Sequence, residues 1–469
     1  MKNNNLVAGV DVGSSSIKWT IYDYNTHKIM HYGNLRYPSG TFNRDNIDII
    51  TIGKFFKKII SMLYEYGVSN VGMSTMAPIL IALNEENIPM TGIPYNSLLG
   101  SEFLKDLPVE YVHNSTMNVP NVQFFYQKIK WLEKHRPNIL LKTKHIVDLN
   151  GFLFSSLGKN GKQMVEDVNT ALEWGFLNYS TKYWDNELLN ISNIADKLPD
   201  LVNPEFFKCY RGMNVSIGTV DTIASALGSI GMDSSKIFIT NGSTLCAGYV
   251  SNEPLNTRTL YNDLFFQGKY LVNGCNSQYS TILDWAETSF KRHINVNRIN
   301  TNPLNIIFLP YLEGEKCPIF NTEIRAGFYG MDKSTTRNDL IASVVHSLAY
   351  ISIDMIEHLQ SVGDVNQQYA SIIAGGGLSK KNLASIISSM TGLRYEITGV
   401  DPATLGASLI AMKGNDIIKN YPKNTRDFGL IIEKTIEPDT NFLSHEKTYN
   451  NFKKIRDMIL KNIASEKKL

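Results

Sequence analysis

The sequence predicts a two-domain α/β protein with an internally duplicated plan. Three observations carry this: a length of 469 residues, short apolar strands that alternate with amphipathic helices, and one strand–turn–strand that occurs twice. A chain this long exceeds what a single hydrophobic core serves, so it divides. Strands alternating with amphipathic helices indicate sheets covered by helices.

The elements follow in order. Residues 6–11 form a short apolar strand that turns through Gly13, Ser14, Ser15 and Ser16 into a second strand at 17–22. Residues 52–66 place Ile52, Phe55, Phe56, Ile59, Ile60 and Leu63 on one helical face, and a strand at 70–74 follows. The stretch 100–215 is richer in Asn, Tyr and Pro and less periodic, and reads as elaboration of the first domain along one wall of a cleft. From Lys236 the plan returns: KIFIT, the turn Asn241-Gly242-Ser243-Thr244, then LCAGYV. Two copies of one turn about 230 residues apart suggest duplication. Thr336 and Asp339 have capping-box spacing, ahead of a stripe of Leu340, Val344, Leu348, Ile351, Met355 and Leu359. Then come a strand (SIIA), Gly375, Gly376 and Gly377, a helix through Leu383, Ile386, Ile387 and Met390, a strand (LRYEI), and a small-residue helix (ATLGASLIAM). Residues 448–461 read as a basic closing helix with a solvated face. The expected domains are 1–229 and 230–469.

Composition removes several function classes. Lys+Arg exceeds Asp+Glu by only 46 − 44 = 2, which leaves no electrostatic footprint for nucleic acid or an acidic membrane. Cys209, Cys246, Cys275 and Cys317 are scattered without a CxxC pair or clustered His, which argues against a disulfide framework and a zinc site. The opening MKNNNLVAGVD does not read as a signal peptide, and no stretch reads as a bilayer span, so a reducing cytoplasm is expected.

Several segments carry chemistry. Backbone N–H groups at Gly/Ser turns form anion-binding concavities, so Gly13, Ser14 and Ser15 with Gly242, Ser243 and Thr244 are candidates to grip one phosphate chain; plain hairpin turns are the alternative. Asp11 ends a strand just before the first turn, where a carboxylate could reach Mg²⁺ or merely cap the turn. Lys18 is either phosphate-directed or solvated, and solvated is favoured. Asp221 lies where a glycine turn enters a small-residue helix. There the macrodipole would help keep it ionised as a proton acceptor, unless it is only an N-cap. Gly375, Gly376 and Gly377 permit close approach of a flat ligand, or serve as a tight strand–helix turn. The segment 158–163 (GKNGKQ) faintly imitates a P-loop but lacks its spacing, and reads as a polar loop.

Taken in order, these segments resemble the FGGY carbohydrate kinases, whose fold is the actin/hexokinase-like (ribonuclease H-like) two-domain ATPase with an interdomain cleft. DVGSSSIK (11–18) resembles the family's first phosphate motif, with Ser14 in the Thr place, and NGSTL (241–245) the second. GTVDTIASALG (218–228) resembles the segment that carries the catalytic base, which gives that role to Asp221. FLPYLEGEKCP (308–318) is similar to PYLxGERxP, with Lys316 in the Arg place; residues 327–350 resemble the family signature, and AGGGLSKKN (374–382) its adenosine motif, ending in Asn382. The resemblance implies ATP with Mg²⁺ at Asp11, and an acceptor near Met76, Asn96 and Asp221. The acceptor would be a ketose, polyol or sugar acid. There are departures. SerThrMetAlaPro at 74–78 lacks a sugar-contacting His, Tyr95-Asn96-Ser97 lacks a carboxylate, and the signature glutamate is His346, expected to be packed or exposed rather than catalytic. A catalytically weak sugar sensor and an actin-like assembly ATPase are the competing classes. A homodimer is left open.

Overall fold

The computed structural model describes residues 5–158, 164–363 and 368–466. Residues 159–163 of the P-loop imitation lie outside the described residues.

Strand β1 (Leu6–Val12) is buried along its whole length, as its LVAGVDV sequence requires. It pairs antiparallel with β2 (Ser16–Asp23), and β2 pairs antiparallel with β3 (Lys28–Arg36). Helix α1 (Ile49–Tyr66) then crosses to β4 (Asn70–Thr75), which lies parallel to β1 on its other side. Asp48 caps α1 by accepting the Thr51 N–H, Gly67 closes it at φ +93°, and Ile52, Phe56, Ile59, Ile60 and Leu63 are its buried face. Strands β5 (Phe207–Tyr210), β6 (Met213–Ser216) and β7 (Thr219–Val220) complete a sheet of order β5-β6-β4-β1-β2-β3, with β7 on β4.

Helix α2 (Asp221–Ile230) leads to the second sheet. It contains β8 (Lys236–Asn241), β9 (Leu245–Ser251), β10 (Tyr261–Leu264), β11 (Tyr270–Cys275), β12 (Ser371–Gly375), β13 (Arg394–Thr398) and β14 (Ile432–Ile436), in the order β10-β11-β9-β8-β12-β13-β14. The β8–β9 hairpin with β12 parallel to β8 repeats the β1–β2 hairpin with β4 parallel to β1. The duplication expected from the two turns is therefore a duplication of sheet topology.

Helix α3 (Arg337–Val362) carries the capping box as expected, with Thr336 and Asp339 reciprocally bonded. Contrary to the expectation that no segment is long and apolar enough to span a bilayer, this helix is, among the described residues. It lies inside the second core, as apolar core helices do. Helix α4 (Lys381–Thr391) and helix α5 (Pro402–Gly414) follow. The closing helix α6 (Glu446–Glu466) is less solvated than its basic character suggested: Tyr449 and Phe452 are buried, and Arg456 pairs with Asp354 of α3.

Helices α2 and α5 pack on each other between the sheets. α5 rests on β1 and β4 although it comes from the far end of the chain, and α2 rests on β8 and β12. Glycines make this approach possible. A Cβ on Gly9 would lie 1.7 Å from the Thr404 carbonyl oxygen, on Gly72 1.8 Å from that of Ala407, and on Gly406 1.9 Å from that of Ala224.

The cysteines correct the expectation of free thiols. Cys246 of β9 and Cys275 of β11 are directly opposed in the antiparallel register and form a disulfide with Cα atoms 4.2 Å apart. Sheet pairing joins residues 29 positions apart that show no spacing motif, in a chain whose composition suggested a reducing compartment. Cys209 and Cys317 are free.

Two predictions follow from these contacts. Gly72→Ala drives a methyl into the α5 backbone and lowers stability by about 1–3 kcal/mol or more in urea unfolding. Gly377→Ala, whose Cβ would meet nothing within 4 Å, leaves the midpoint nearly unchanged. Thiol titration in denaturant reads two cysteines without reductant and four after reduction, whereas four without reductant would remove the disulfide.

Candidate active site

Between the sheets lies a cavity of about 310 Å³, lined by both hairpin turns, the start of α2 and the start of α5. In the first turn the Gly13 N–H donates to the Ser16 carbonyl at 3.0 Å. In the second the Gly242 N–H donates to the Thr244 carbonyl at 3.0 Å, and the turn's Ser243 carbonyl accepts the Tyr279 N–H at 2.7 Å.

At one end stand Asp11, Lys18 and Asp401. Asp11, at the end of β1, is 5% exposed and accepts the Ser74 hydroxyl at 2.8 Å. Lys18 is 43% exposed, as the solvated reading expected, but it is not free: its Nζ lies 2.7 Å from Asp401 Oδ2 and 3.8 Å from Asp11 Oδ2. Asp401 also caps α5, accepting the N–H groups of Ala403 and Thr404, with Pro402 at the first helical position. One carboxylate thus fixes a helix start and a cleft lysine together. Burial lifts the Asp11 carboxyl to about 6, opposed by Lys18, reinforced by Asp401 and opposed again by the Ser74 bond. The paired Asp401 pushes the Lys18 ammonium upward against burial.

Asp221 opens α2 in the middle of the cleft. The N-cap position is taken by Val220 and has no side-chain cap bond, so the capping alternative is not realised. Its carboxyl is raised to about 7, first by burial and then by Asp11, while Thr222 and Lys18 oppose the shift. Burial thus raises the carboxyl at the helix start that was expected to stay readily ionised.

The structure brings together most of the residues singled out from sequence. Asp11, Gly13, Ser14, Ser15, Met76, Asp221, Gly242, Ser243, Thr244 and Gly376 all line the cavity. Others do not. Gly375 is held by packing, since a Cβ there would lie 2.8 Å from Pro402. Gly377 faces open space instead. The Asn382 amide donates to the carbonyls of Val296 and Ile299, at 3.3 and 3.1 Å, which ties α4 to a neighbouring loop. Asn96 is not part of the lining; its neighbour Tyr95 is. His346 is packed as expected, 2% exposed with Nε2 bonded to the Asn300 carbonyl at 2.7 Å.

Other lining residues had no functional reading in the sequence. Lys316 holds its Nζ 5.3 Å from the Tyr95 ring centroid, a cation–π distance, and burial lowers its ammonium to about 8 against the pull of Glu315 and Glu173. Glu173 ends the short helix Val168–Leu172, and Asp263 sits in β10, where its Oδ2 accepts the Asn273 amide at 2.6 Å. Glu173 is raised by burial, then by Asp263 and Asp221; burial carries Asp263 to about 6. Gln123 is set from behind by the buried Lys128, whose Nζ donates to its carbonyl at 2.9 Å. The walls are clasped by Asn118 and Asn262, which exchange two hydrogen bonds of 2.9 Å. Lys316 was legible as a member of the FLPYLEGEKCP segment, though not with a role of its own. Glu173, Asp263 and Lys316 meet only through the fold.

Family models match this arrangement over most of the chain. Residues 6–228 match the N-terminal domain of the FGGY family of carbohydrate kinases and residues 237–414 its C-terminal domain. Among characterised relatives, the xylulose kinase of Staphylococcus xylosus is 23% identical, with 96% of this chain and 99% of that protein aligned. The glycerol kinase of Lactobacillus acidophilus is also 23% identical, over 96% of this chain and 97% of that protein. The crystal structure of a ligand-bound xylulose kinase from Lactobacillus acidophilus superposes with a TM-score of 0.86 at 19% identity, covering 97% of this chain and 98% of the other. The duplicated sheets and the cleft between them are thus a two-domain kinase fold, and the chain belongs to the FGGY family of carbohydrate kinases.

Proposed function

We propose that the cleft transfers the γ-phosphoryl group of ATP to a hydroxyl of a small sugar or sugar derivative, with Asp221 as general base. The observation that carries this reading is the placement of Asp221. Its carboxylate lines the same cavity as both glycine turns and is not consumed in capping its helix.

In this reading the N–H groups of Ser14 and Ser15 and of Ser243 and Thr244 hold the phosphate chain from opposite sheets, those of Gly13 and Gly242 being spent inside the turns they close. Lys18, fixed by Asp401, offsets phosphate charge. Open space at Gly377 admits the adenine, beside Gly376 in the lining. The first half of the chain, 1–229, supplies Asp221 and the wall around Met76, and 230–469 supplies the nucleotide side. Asp221 accepts the acceptor's proton as the oxygen attacks phosphorus, and the buried setting keeps water from competing.

Mg²⁺ is the ion that would accompany ATP. Among the described residues no cluster of three or more His, Cys, Asp or Glu could hold a metal alone. The donors present nonetheless fit this ion, which binds through one or two carboxylates and the substrate's own phosphates. Asp11, buried and aimed into the cleft beside the first turn, is the ligand proposed. Bound there, Mg²⁺ supplies charge neutralisation of the phosphates.

Two outcomes test the reading. Asp221→Asn lowers turnover by about 10²–10⁴, the span of general-base loss, with the thermal unfolding midpoint retained; near-full turnover at saturating acceptor would remove Asp221 from the chemistry. The base works only when deprotonated, and its carboxyl lies at about 7. Acceptor kcat/KM therefore falls as pH drops through about 7 and levels above it, and any residual activity of the Asn variant loses that limb. ADP release across ketoses, polyols and sugar acids is the assay. Binding without ADP release for all of them assigns the cleft to sugar sensing.

A further inference from the structure

The cleft has two groups of charges, with Asp221 between them. Asp11, Lys18 and Asp401 stand beside the first phosphate turn. Glu173, Asp263 and Lys316 form the other group. Asp221 feels Asp11 on one side, and Glu173 feels Asp221 on the other. If Asp221 is the base and the turns hold phosphate, the second group surrounds the acceptor. The following therefore rests on the kinase reading.

Two acids here come from opposite walls. Glu173 projects from the end of a short helix in the first half, and Asp263 from β10 of the second sheet, with Asn273 holding one of its oxygens. Both line the cavity together with Asp221. Among the described residues that line the cavity, Lys316, parked over the Tyr95 ring, is the one lysine at this end and there is no arginine; Lys128 stands behind Gln123, outside the lining, with its ammonium spent on the Gln123 carbonyl. Arginine is the side chain whose planar fork matches a carboxylate in a buried site. Its absence leaves a substrate carboxylate facing two acids with one shared ammonium. That ammonium is pulled down to about 8 and already faces Glu173. A hydroxyl has no such conflict, since it donates to an ionised carboxylate and accepts from a protonated one.

We infer that Glu173 and Asp263 set the charge of the acceptor, so that this cleft takes an uncharged polyhydroxylated molecule, a ketose or polyol, and rejects sugar acids. The repulsion comes chiefly from Asp263, whose carboxyl, carried by burial to about 6, is ionised above that pH, while Glu173 is raised further and adds to it only once ionised. Like-charge juxtaposition in a desolvated site costs several kcal/mol.

The test compares ADP release from the full chain with Mg-ATP, using ketoses and polyols against aldonates of the same carbon number. The best uncharged acceptor exceeds the best aldonate in kcat/KM by on the order of 10²-fold or more. Glu173→Gln and Asp263→Asn each lower kcat/KM for the uncharged acceptor; Asp263→Asn raises the aldonate-to-neutral ratio by roughly 10-fold, the effect of one removed charge contact, and Glu173→Gln raises it in assays alkaline enough to ionise Glu173. Aldonates as the preferred acceptors, or a ratio unmoved in both variants, overturn the inference and leave the kinase reading standing. No acceptor-dependent signal from either class overturns both. The wild-type preference needs no variant, so a variant that misfolds does not shelter the claim.

Discussion

A helix backbone lying directly on a sheet backbone is the contact on which the rest of this molecule depends. Helix α5 approaches β1, β4 and α2 so closely that Gly9, Gly72 and Gly406 have no room for a methyl. Side-chain-mediated packing would keep the elements farther apart. The separation matters because the start of α5 is also part of the cleft. Asp401 caps the helix and pairs with Lys18 on β2, and Lys18 in turn reaches Asp11 at the end of β1. The spacing of the first turn from the second half of the chain is thus set by carbonyl oxygens and missing side chains rather than by the side chains that line the cleft.

Behind the cavity wall that carries Glu173 and Gln123 lies a second, wholly buried layer of polar groups. Asp148, Glu166 and Asp167 are fully buried, and each is anchored by backbone N–H groups. Asp148 also accepts the Trp174 indole at 3.0 Å, and Trp174 directly follows Glu173. Burial raises all three acids, the first and last to about 7. Groups so desolvated persist because their bonds are made. They hold the chain on which Glu173 sits, while Lys128 does the same for Gln123.

What could be read from the sequence was what is local. The strand into Asp11, the turn at Gly13, the capping box at Thr336 and the glycine turn into Asp221 are each specified by neighbours along the chain, and each lies where expected. Asp221 as a lone carboxylate at a helix start was ambiguous; the structure resolves one ambiguity by giving the N-cap to Val220. Misreadings share a different cause. Asn382 belongs to a motif read by order, but its amide is spent on the carbonyls of Val296 and Ile299. Lys18 is partly exposed as expected, but its partner, 383 residues away, had no local signature. Cys246 and Cys275 show no motif because strand register, not spacing, opposes them. Glu173 and Asp263 were passed over because neither has a local signature, and only the closing of two walls makes them neighbours.

The crossing of α5 onto the first sheet also bears on how such a chain is assembled. The Thr20 and Thr404 hydroxyls lie 2.8 Å apart across 384 residues of sequence, and the buried face of β1 is covered by a helix near the other end. During synthesis that apolar face has no cover until residue 414 has left the ribosome, and loop closure of this length comes late. The halves exchange helices, α2 onto the second sheet and α5 onto the first. Neither half is therefore a finished folding unit by itself, and a cut between them leaves two sticky surfaces rather than two proteins.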